Sequence, residues 1–550
     1  MNVAQLVGKT LAELGVGHAF GVVGSGNFTV TNSLIEHGVP YTATRHEGGA
    51  ATMADAFARV SGKVAVLSVH QGCGLTNAGT GIGEAAKSRT PLLVLAAEAA
   101  PSAVYSNFAM DQDAFATSIY AISERVHSAQ SAVADTVRAF RTALNERRTV
   151  VLNLPLNVQA QEAVEPAELP AVHPAQKIRP SRGSVEELSV LLESAERPVF
   201  VAGRGGRDAK EEILALARHT GALVATSAVA KGLFNEDDFN LGISGGFSSP
   251  LAAELISNAD LIVGFGCALN MWTMRHGHLI GENTKVVQID LEGPALGANR
   301  PIDLGVIGDS AQCALDVLST LESSGMKVRE GYRTAENKQR IASEVHWQQV
   351  DYDDQSTKDA IDPRTLTKKL DQLLPAERIV SVDSGNFMGY PSQFLSVPDE
   401  FGFCFTQAFQ SIGLGLYTAI GAGLAQPERL PVLGTGDGGF HMAIAELDTA
   451  VRLKMPLVCI VYNDAAYGAE VHHFGDGETN VDMSSVVFPE TDFAAIGRGF
   501  GAEGITVRTV EDLDTVTQWL DSNPSGPLVI DAKIASDGGS WWLAEAFKGH

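Results

Sequence analysis

Asp437 and Asn463 are the two side chains from which chemistry can first be argued. Asp437 stands in Gly436-Asp437-Gly438-Gly439, directly after the apolar run 431–436. Asn463 opens Asn463-Asp464-Ala465-Ala466-Tyr467-Gly468, directly after the apolar run 456–462. Between them residues 442–453 repeat apolar side chains at helical spacing, so the whole stretch reads as a βαβ unit. A right-handed crossover lays its two strands parallel in one sheet, and both residues then fall at the sheet's carboxyl edge. A carboxylate, a side-chain amide and a nearby backbone carbonyl form a hard-oxygen set suited to Mg²⁺, which takes its other ligands from water and phosphates. Gly436, Gly438 and Gly439 let phosphate oxygens approach the backbone, and the following helix offers its N-terminus. A diphosphate is the ligand this stretch expects.

The elements that must carry such a site can be read from the rest of the 550 residues, a length that suits several domains. Residues 1–160 alternate amphipathic helices (3–14, 48–60) with short apolar strands (64–69, 92–96, 150–154), the pattern of an α/β domain with a mostly parallel sheet. Residues 161–182 are rich in Pro, Glu and Ala without periodicity and read as a linker. A second α/β unit spans 183–322, with strands at 198–202, 222–226, 261–265 and 285–289; a polar linker with one helix spans 323–362. The third α/β domain, 363–550, holds the opening βαβ unit.

A net charge of −25 argues against nucleic acid or an anionic membrane as partner, because phosphate surfaces require clustered Lys and Arg. Cys73, Cys267, Cys313, Cys404 and Cys459 are scattered and lack CxxC spacing, so neither a disulfide framework nor a zinc site is expected. With no leader-like or membrane-spanning apolar run, a cytoplasmic enzyme is the expectation.

The order of domains, the Gly-Asp-Gly-Gly…Asn motif, and His46-Glu47-Gly48-Gly49-Ala50 with Met53-Ala54-Asp55-Ala56-Phe57-Ala58-Arg59 together resemble the thiamine diphosphate (ThDP) enzymes of the acetolactate synthase, pyruvate decarboxylase and benzoylformate decarboxylase superfamily. The resemblance covers essentially the whole chain. It implies a pyrimidine-binding first domain, a structural or nucleotide-holding central domain and a diphosphate-binding third domain. It also implies a homodimer or homotetramer, with the cofactor held between the first domain of one subunit and the third of another.

By resemblance, Glu47 hydrogen-bonds the cofactor's pyrimidine ring, and Ile412 in Gln410-Ser411-Ile412-Gly413 is the aliphatic wedge beneath it, with Gln410 supplying a carbonyl. Ser384, Gly385 and Asn386 contact the outer phosphate, and Ala466 and Tyr467 lie in the diphosphate turn. Mg²⁺ is held by Asp437, Asn463 and the Ala465 carbonyl.

Three polar residues bear on the reaction. His70, ending the strand 64–69, and Ser25, in the first glycine loop, resemble the active-site groups of benzoylformate decarboxylases, whose second His is not matched in register. Gln112 resembles the active-site Gln of acetolactate synthases. The implied activity is a carboligase or lyase acting on 2-oxo acids, aldehydes or acyloins through a thiazolium-bound carbanion or enamine; the alternative is a decarboxylase releasing aldehyde and CO₂. In the central domain, Gly203-Arg204-Gly205 follows a strand where relatives bind FAD or ADP. The flavin segment of acetolactate synthases is replaced by Ala268-Leu269-Asn270-Met271-Trp272-Thr273, which leaves FAD or a nucleotide open.

Overall fold

The computed structural model describes residues 1–475, 481–540 and 543, so the paired Trp541 and Trp542, which by sequence would suit a C-terminal lid, lie outside the described residues. Among the described residues the chain builds three six-stranded parallel sheets with helices between the strands, an α/β architecture. The first sheet runs, in spatial order, Tyr41–Ala43, His18–Gly21, Ala65–Val69, Leu92–Glu98, Thr149–Pro155, Ile122–Arg125. Its strands alternate between two cores: Ala65, Leu67 and Val69 face one, Val64 and Val66 the other. Burial on both faces is why these strands read as continuous apolar runs. The second sheet is centred on Leu261–Phe265 and Pro198–Ala202. The third runs Phe403–Phe405, Arg378–Val382, Leu430–Gly436, Val458–Asn463, Leu528–Lys533, Glu503–Val507.

The expected βαβ unit is present, with Leu430–Gly436 and Val458–Asn463 as parallel neighbours and Gly436 opposite Tyr462. Its helix is not the single one expected over 442–453. It breaks into Asp437–Ala443, a 3₁₀ turn Ile444–Glu446, and Leu447–Arg452. The expected linker 161–182 carries no helix or strand before Arg182, and 323–362 contains the helix Ala335–Glu344. Tyr332, Ile341 and Val345 from that second stretch pack into the central unit's core.

The first and third units share one apolar core, which helix Glu47–Ser61 and helix Gly415–Ala425 join. Glycine permits this approach: a Cβ on Gly421 would lie 2.2 Å from the Met53 carbonyl oxygen. Within the first unit, Gly81 of Gly79-Thr80-Gly81-Ile82-Gly83 likewise lets its helix close on helix Glu47–Ser61, since its Cβ would meet the Ala51 methyl at 2.6 Å. The buried Arg59 ties the units further. It binds Asp55 on its own helix, Glu84 at 2.7 Å, and the Phe405 carbonyl at 3.0 Å. No helix among the described residues is long and apolar enough to cross a membrane.

Candidate active site

The third sheet delivers its strands' carboxyl ends to one edge of a cavity of about 1390 Å³, which extends toward the central unit. Of the residues singled out from sequence, Ser384, Gly385, Asn386, Gln410, Ile412, Gly436, Asp437, Gly438, Gly439, Ala466 and Tyr467 line it. Asn463 and Ala465 do not.

The correction has a simple physical cause. Asn463 is still inside the β-ladder, in register with Lys533. Its amide nitrogen donates to Asp531 Oδ1 at 2.8 Å and to the Thr491 carbonyl at 3.1 Å, and its Oδ1 accepts from Ala465 N–H. The Ala465 carbonyl is likewise engaged, accepting from Phe488 N–H at 2.8 Å. The chain leaves the sheet only at the next residue, so Asp464 and Ala466 face the cavity. Ala465, with φ +56°, makes that turn in the left-handed region, where non-glycine residues rarely sit. The signal was present in the sequence as a second oxygen-bearing side chain beside Asn463.

Asp437, which is buried, and Asp464, which is open to solvent, face the cavity together beside Ala466. Burial pushes the Asp437 carboxyl up to about 6. The enclosing cavity walls first, and then the neighbouring Asp437 charge, push Asp464 up to about 7. Two carboxylates side by side in one cavity repel each other, and a cation between them lets both stay ionised. With glycines around them, they fit Mg²⁺ completed by phosphate oxygens and water. The cradle leaves no room for side chains: a Cβ on Gly438 would reach the Tyr467 ring at 2.5 Å, and one on Gly468 would reach Asp464 Oδ2 at 2.3 Å.

Asp383, which the sequence reading passed over, braces this cradle from below. It is fully buried and accepts from Ser384 N–H at 2.7 Å, Gly413 N–H at 2.9 Å and the Thr435 hydroxyl at 3.2 Å. It thereby joins the 384–386 turn to the turn bearing Ile412. Burial pushes its carboxyl up to about 6, against the pull of these donors. Ile412 is 38% exposed and stands at the cavity wall instead of in a core. Gln410, just before it, is held at φ +57°. Asn386 is pinned by Ser540, whose hydroxyl donates to the Asn386 carbonyl at 2.8 Å.

Glu47, His70, Gln112 and Ser25 do not line this cavity in the same chain. Three of them gather at the first sheet's carboxyl edge. Glu47 opens helix Glu47–Ser61, and its Oε2 accepts from the Asn77 amide at 3.1 Å. A Cβ on Gly74 would lie 3.2 Å from His70 Cβ and 3.5 Å from Glu47 Oε1, so these two residues are near neighbours. The His70 Nδ1 donates to the Gln71 carbonyl at 3.1 Å, which leaves Nε2 as the nitrogen open to proton exchange. The ring packs edge-on against Phe108, 4.8 Å between centroids. Ser25 is exposed and adjoins Gly24, whose Cβ would strike the His70 ring. Asn27, another residue missed from sequence, holds that loop by accepting from Gly24 N–H at 2.8 Å while donating to Val22 O and Ser68 Oγ.

Gln112 is different. It is buried, its Oε1 accepts from Gly72 N–H at 3.0 Å, and its amide donates to Asn153 Oδ1 at 2.7 Å. Both ends are committed to bracing the 70–74 loop, so the expected reaction-facing role does not match its position.

The glycines of Gly203-Arg204-Gly205 are explained by close packing. A Cβ on Gly203 would lie 2.3 Å from the Gly266 carbonyl oxygen, and Arg204 bonds the Ser88 carbonyl.

Comparison with known proteins adds a second line of observation. Residues 1–118 match the family described as thiamine pyrophosphate enzyme, N-terminal TPP binding domain; residues 185–321 match the central domain and 383–532 the C-terminal TPP binding domain. Among curated proteins, the chain is 28% identical to a sulfoacetaldehyde acetyltransferase of Castellaniella defragrans, over 93% of this chain and 89% of the relative. It is 29% identical to a probable 2-ketoarginine decarboxylase of Pseudomonas aeruginosa, over 97% and 94%. It is 28% identical to an acetolactate synthase of Bacillus subtilis, over 96% and 93%.

Proposed function

The chain belongs to the thiamine pyrophosphate enzymes, and from that premise we propose that it is a ThDP- and Mg²⁺-dependent enzyme acting on 2-oxo acids or acyloins. In this reading it cleaves the C–C bond beside the carbonyl and passes the acyl fragment to a second carbonyl, as an acetolactate synthase-like carboligase or lyase. The observation that carries the cofactor reading is the pair of carboxylates, buried Asp437 and solvent-open Asp464, that face one glycine-lined cavity. When bound, the cofactor supplies an electron sink at its thiazolium ring for the electrons of the broken bond.

The protein's own residues supply position and protons. Asp437, Asp464 and the Ala466 carbonyl are the metal ligands we assign, in place of Asn463 and Ala465. Asn386, Gly438 and Gly468 border the space for the diphosphate, and Ile412 supports the rings. Glu47 is the carboxyl group that we assign to the pyrimidine. Its position outside the cavity lined by Asp437 in the same chain supports a site closed by a second subunit, hence at least a homodimer. The cavity's extension over Gly203 to Gly205 and Asp290 leaves space for a flavin or nucleotide, and the absorption spectrum of the purified protein decides whether a flavin is present.

A second reading, a decarboxylase releasing aldehyde and CO₂, is favoured by His70, which stands beside Glu47 with Nε2 available to deliver a proton, and by the committed position of Gln112. Incubation with ThDP, Mg²⁺ and pyruvate, 2-oxobutyrate, benzoylformate or glyoxylate, with products identified by NMR, separates the two. Acyloin or acetohydroxy acid as main product supports the first reading. Free aldehyde supports the second, in which case His70→Ala lowers aldehyde release by about 10²-fold or more.

A further inference from the structure

We propose that Glu446 is the positioning residue for Glu47, an inference that rests on the role assigned to Glu47 above. Glu446 ends the 3₁₀ turn that interrupts the helix after Asp437, and it is fully buried although it is a carboxylate. Its Oε1 reaches out of the third unit into the first, accepting from Arg45 N–H at 2.8 Å and His46 N–H at 2.9 Å. Its Oε2 accepts from the Thr449 hydroxyl. The two donors are the peptide groups immediately before Glu47, so the carboxylate fixes the backbone from which the Glu47 side chain departs.

Neighbouring contacts close around the same link. Arg452 donates to the Ala43 carbonyl at 2.7 Å, and Arg45 pairs with Asp448 at 2.6 Å. A Cβ on Gly49 would lie 2.9 Å from Glu446 Oε1, so glycine two residues after Glu47 is what admits the carboxylate. A buried anion with three donors is a costly device for mere adhesion between units, since apolar packing would serve that purpose without desolvating a charge. Its value is orientation: a carboxylate accepts two adjacent N–H groups at fixed angles. Glu446 also lies on one continuous segment with Asp437. The diphosphate turn and the Glu47 loop of one chain are thus joined through this side chain, and in a dimer with sites between subunits that contact joins two active sites.

The test separates positioning from adhesion. In Glu446→Gln, exchange of the proton on the reactive carbon of bound ThDP, followed by deuterium incorporation and NMR after acid quench, slows about 10- to 100-fold, the effect of a small misplacement of a catalytic group. The affinity for ThDP and Mg²⁺, read by fluorescence titration, stays near the wild-type value because the diphosphate ligands are untouched. The double variant Glu47→Gln/Glu446→Gln exchanges no more slowly than Glu47→Gln alone, because one residue acts through the other. Unchanged exchange in folded Glu446→Gln, or additive losses in the double variant, overturns the proposal.

Should Glu446→Gln not fold, amide exchange in the unaltered protein still decides. Protection of the Arg45 and His46 amides comparable to the core supports the contact, and exchange as fast as in exposed loops refutes it. If Glu47→Gln itself leaves proton exchange unaltered, the assignment of Glu47 fails, and the amide measurement scores the Glu446 contact independently.

Discussion

Asn463 and Asp464 are adjacent in sequence yet point to different consequences of substitution. Asn463 satisfies the fully buried Asp531, which also accepts from Phe493 N–H and pairs with Lys533. Asn463→Ala leaves part of that carboxylate unpaired and is expected to lower stability by about 1–3 kcal/mol in denaturant unfolding, with ThDP and Mg²⁺ still bound. Asp464→Ala removes an oxygen facing the cavity. It is expected to leave folding intact and to weaken Mg²⁺-dependent cofactor binding by about 10-fold or more in a fluorescence titration. The reverse pattern would return the ligand role to Asn463.

His18 shows a residue whose burial sets a pH limit. It lies in a central strand of the first sheet, stacked on Phe20 at 4.5 Å and bonded through Nε2 to the Thr42 hydroxyl. Burial lowers its pKa from 6.5 to about 4. As pH falls, the unfolded chain therefore binds this proton before the folded one does. The stability that neutral burial contributes is complete above about pH 6.5 and is lost on acidification toward pH 4, by up to about 3 kcal/mol. His18→Gln removes this loss. The variant's melting temperature is expected to fall less steeply than the wild type's across that window; parallel acid limbs would show that His18 does not control it.

At the scale of elements, the helix that begins at Glu47 is held by close contact between helices. Helix Glu47–Ser61 and helix Gly415–Ala425 approach until the Met53 carbonyl occupies the space a Gly421 side chain would need. Gly421→Ala forces backbone to move and is expected to cost about 1–3 kcal/mol. Because the displaced helix begins with Glu47, kcat is expected to fall at unchanged substrate KM. A stable, fully active variant would mean that the helix pair can spread without disturbing the site. The same pairing explains why these helices carry so many small residues: Ala50, Ala51, Ala54, Ala419 and Ala422 are all buried.

For the whole molecule, the decisive feature is that one chain's cavity is lined by the residues proposed for the diphosphate and metal but not by Glu47. If each site takes one half from each of two chains, Glu47→Gln and Asp437→Ala, both inactive alone, restore activity when co-expressed. Random pairing yields hybrid dimers with one intact site, and recovered activity of about a quarter of the wild type is expected. No recovery in a verified hybrid would place both halves in one chain. In that arrangement the core shared between the first and third units would make each chain a carrier of two different half-sites.

Much of this was legible in the sequence because it depends on local pattern. Apolar runs of strand length, glycines after strands and helical spacing gave the three α/β units, and Asp437, Ser384 to Asn386 and Ile412, read from their places just after such elements, line one cavity. What failed was what depends on where a chain leaves its sheet and on what lies across a domain boundary. One extra residue of ladder turned Asn463 inward and brought Asp464 to the cavity, since side-chain direction alternates with every residue along a strand. Gln112 resembles a reacting group by position, but only folding brings Gly72 and Asn153 to its two ends. Asp383 and Glu446 look like ordinary acidic residues until distant N–H groups converge on them. The sequence by itself determined the elements and the chemistry available at their ends, through interactions among near neighbours. Tertiary structure decided which of those groups face a common cavity and which brace it, because that depends on contacts between residues far apart in the chain.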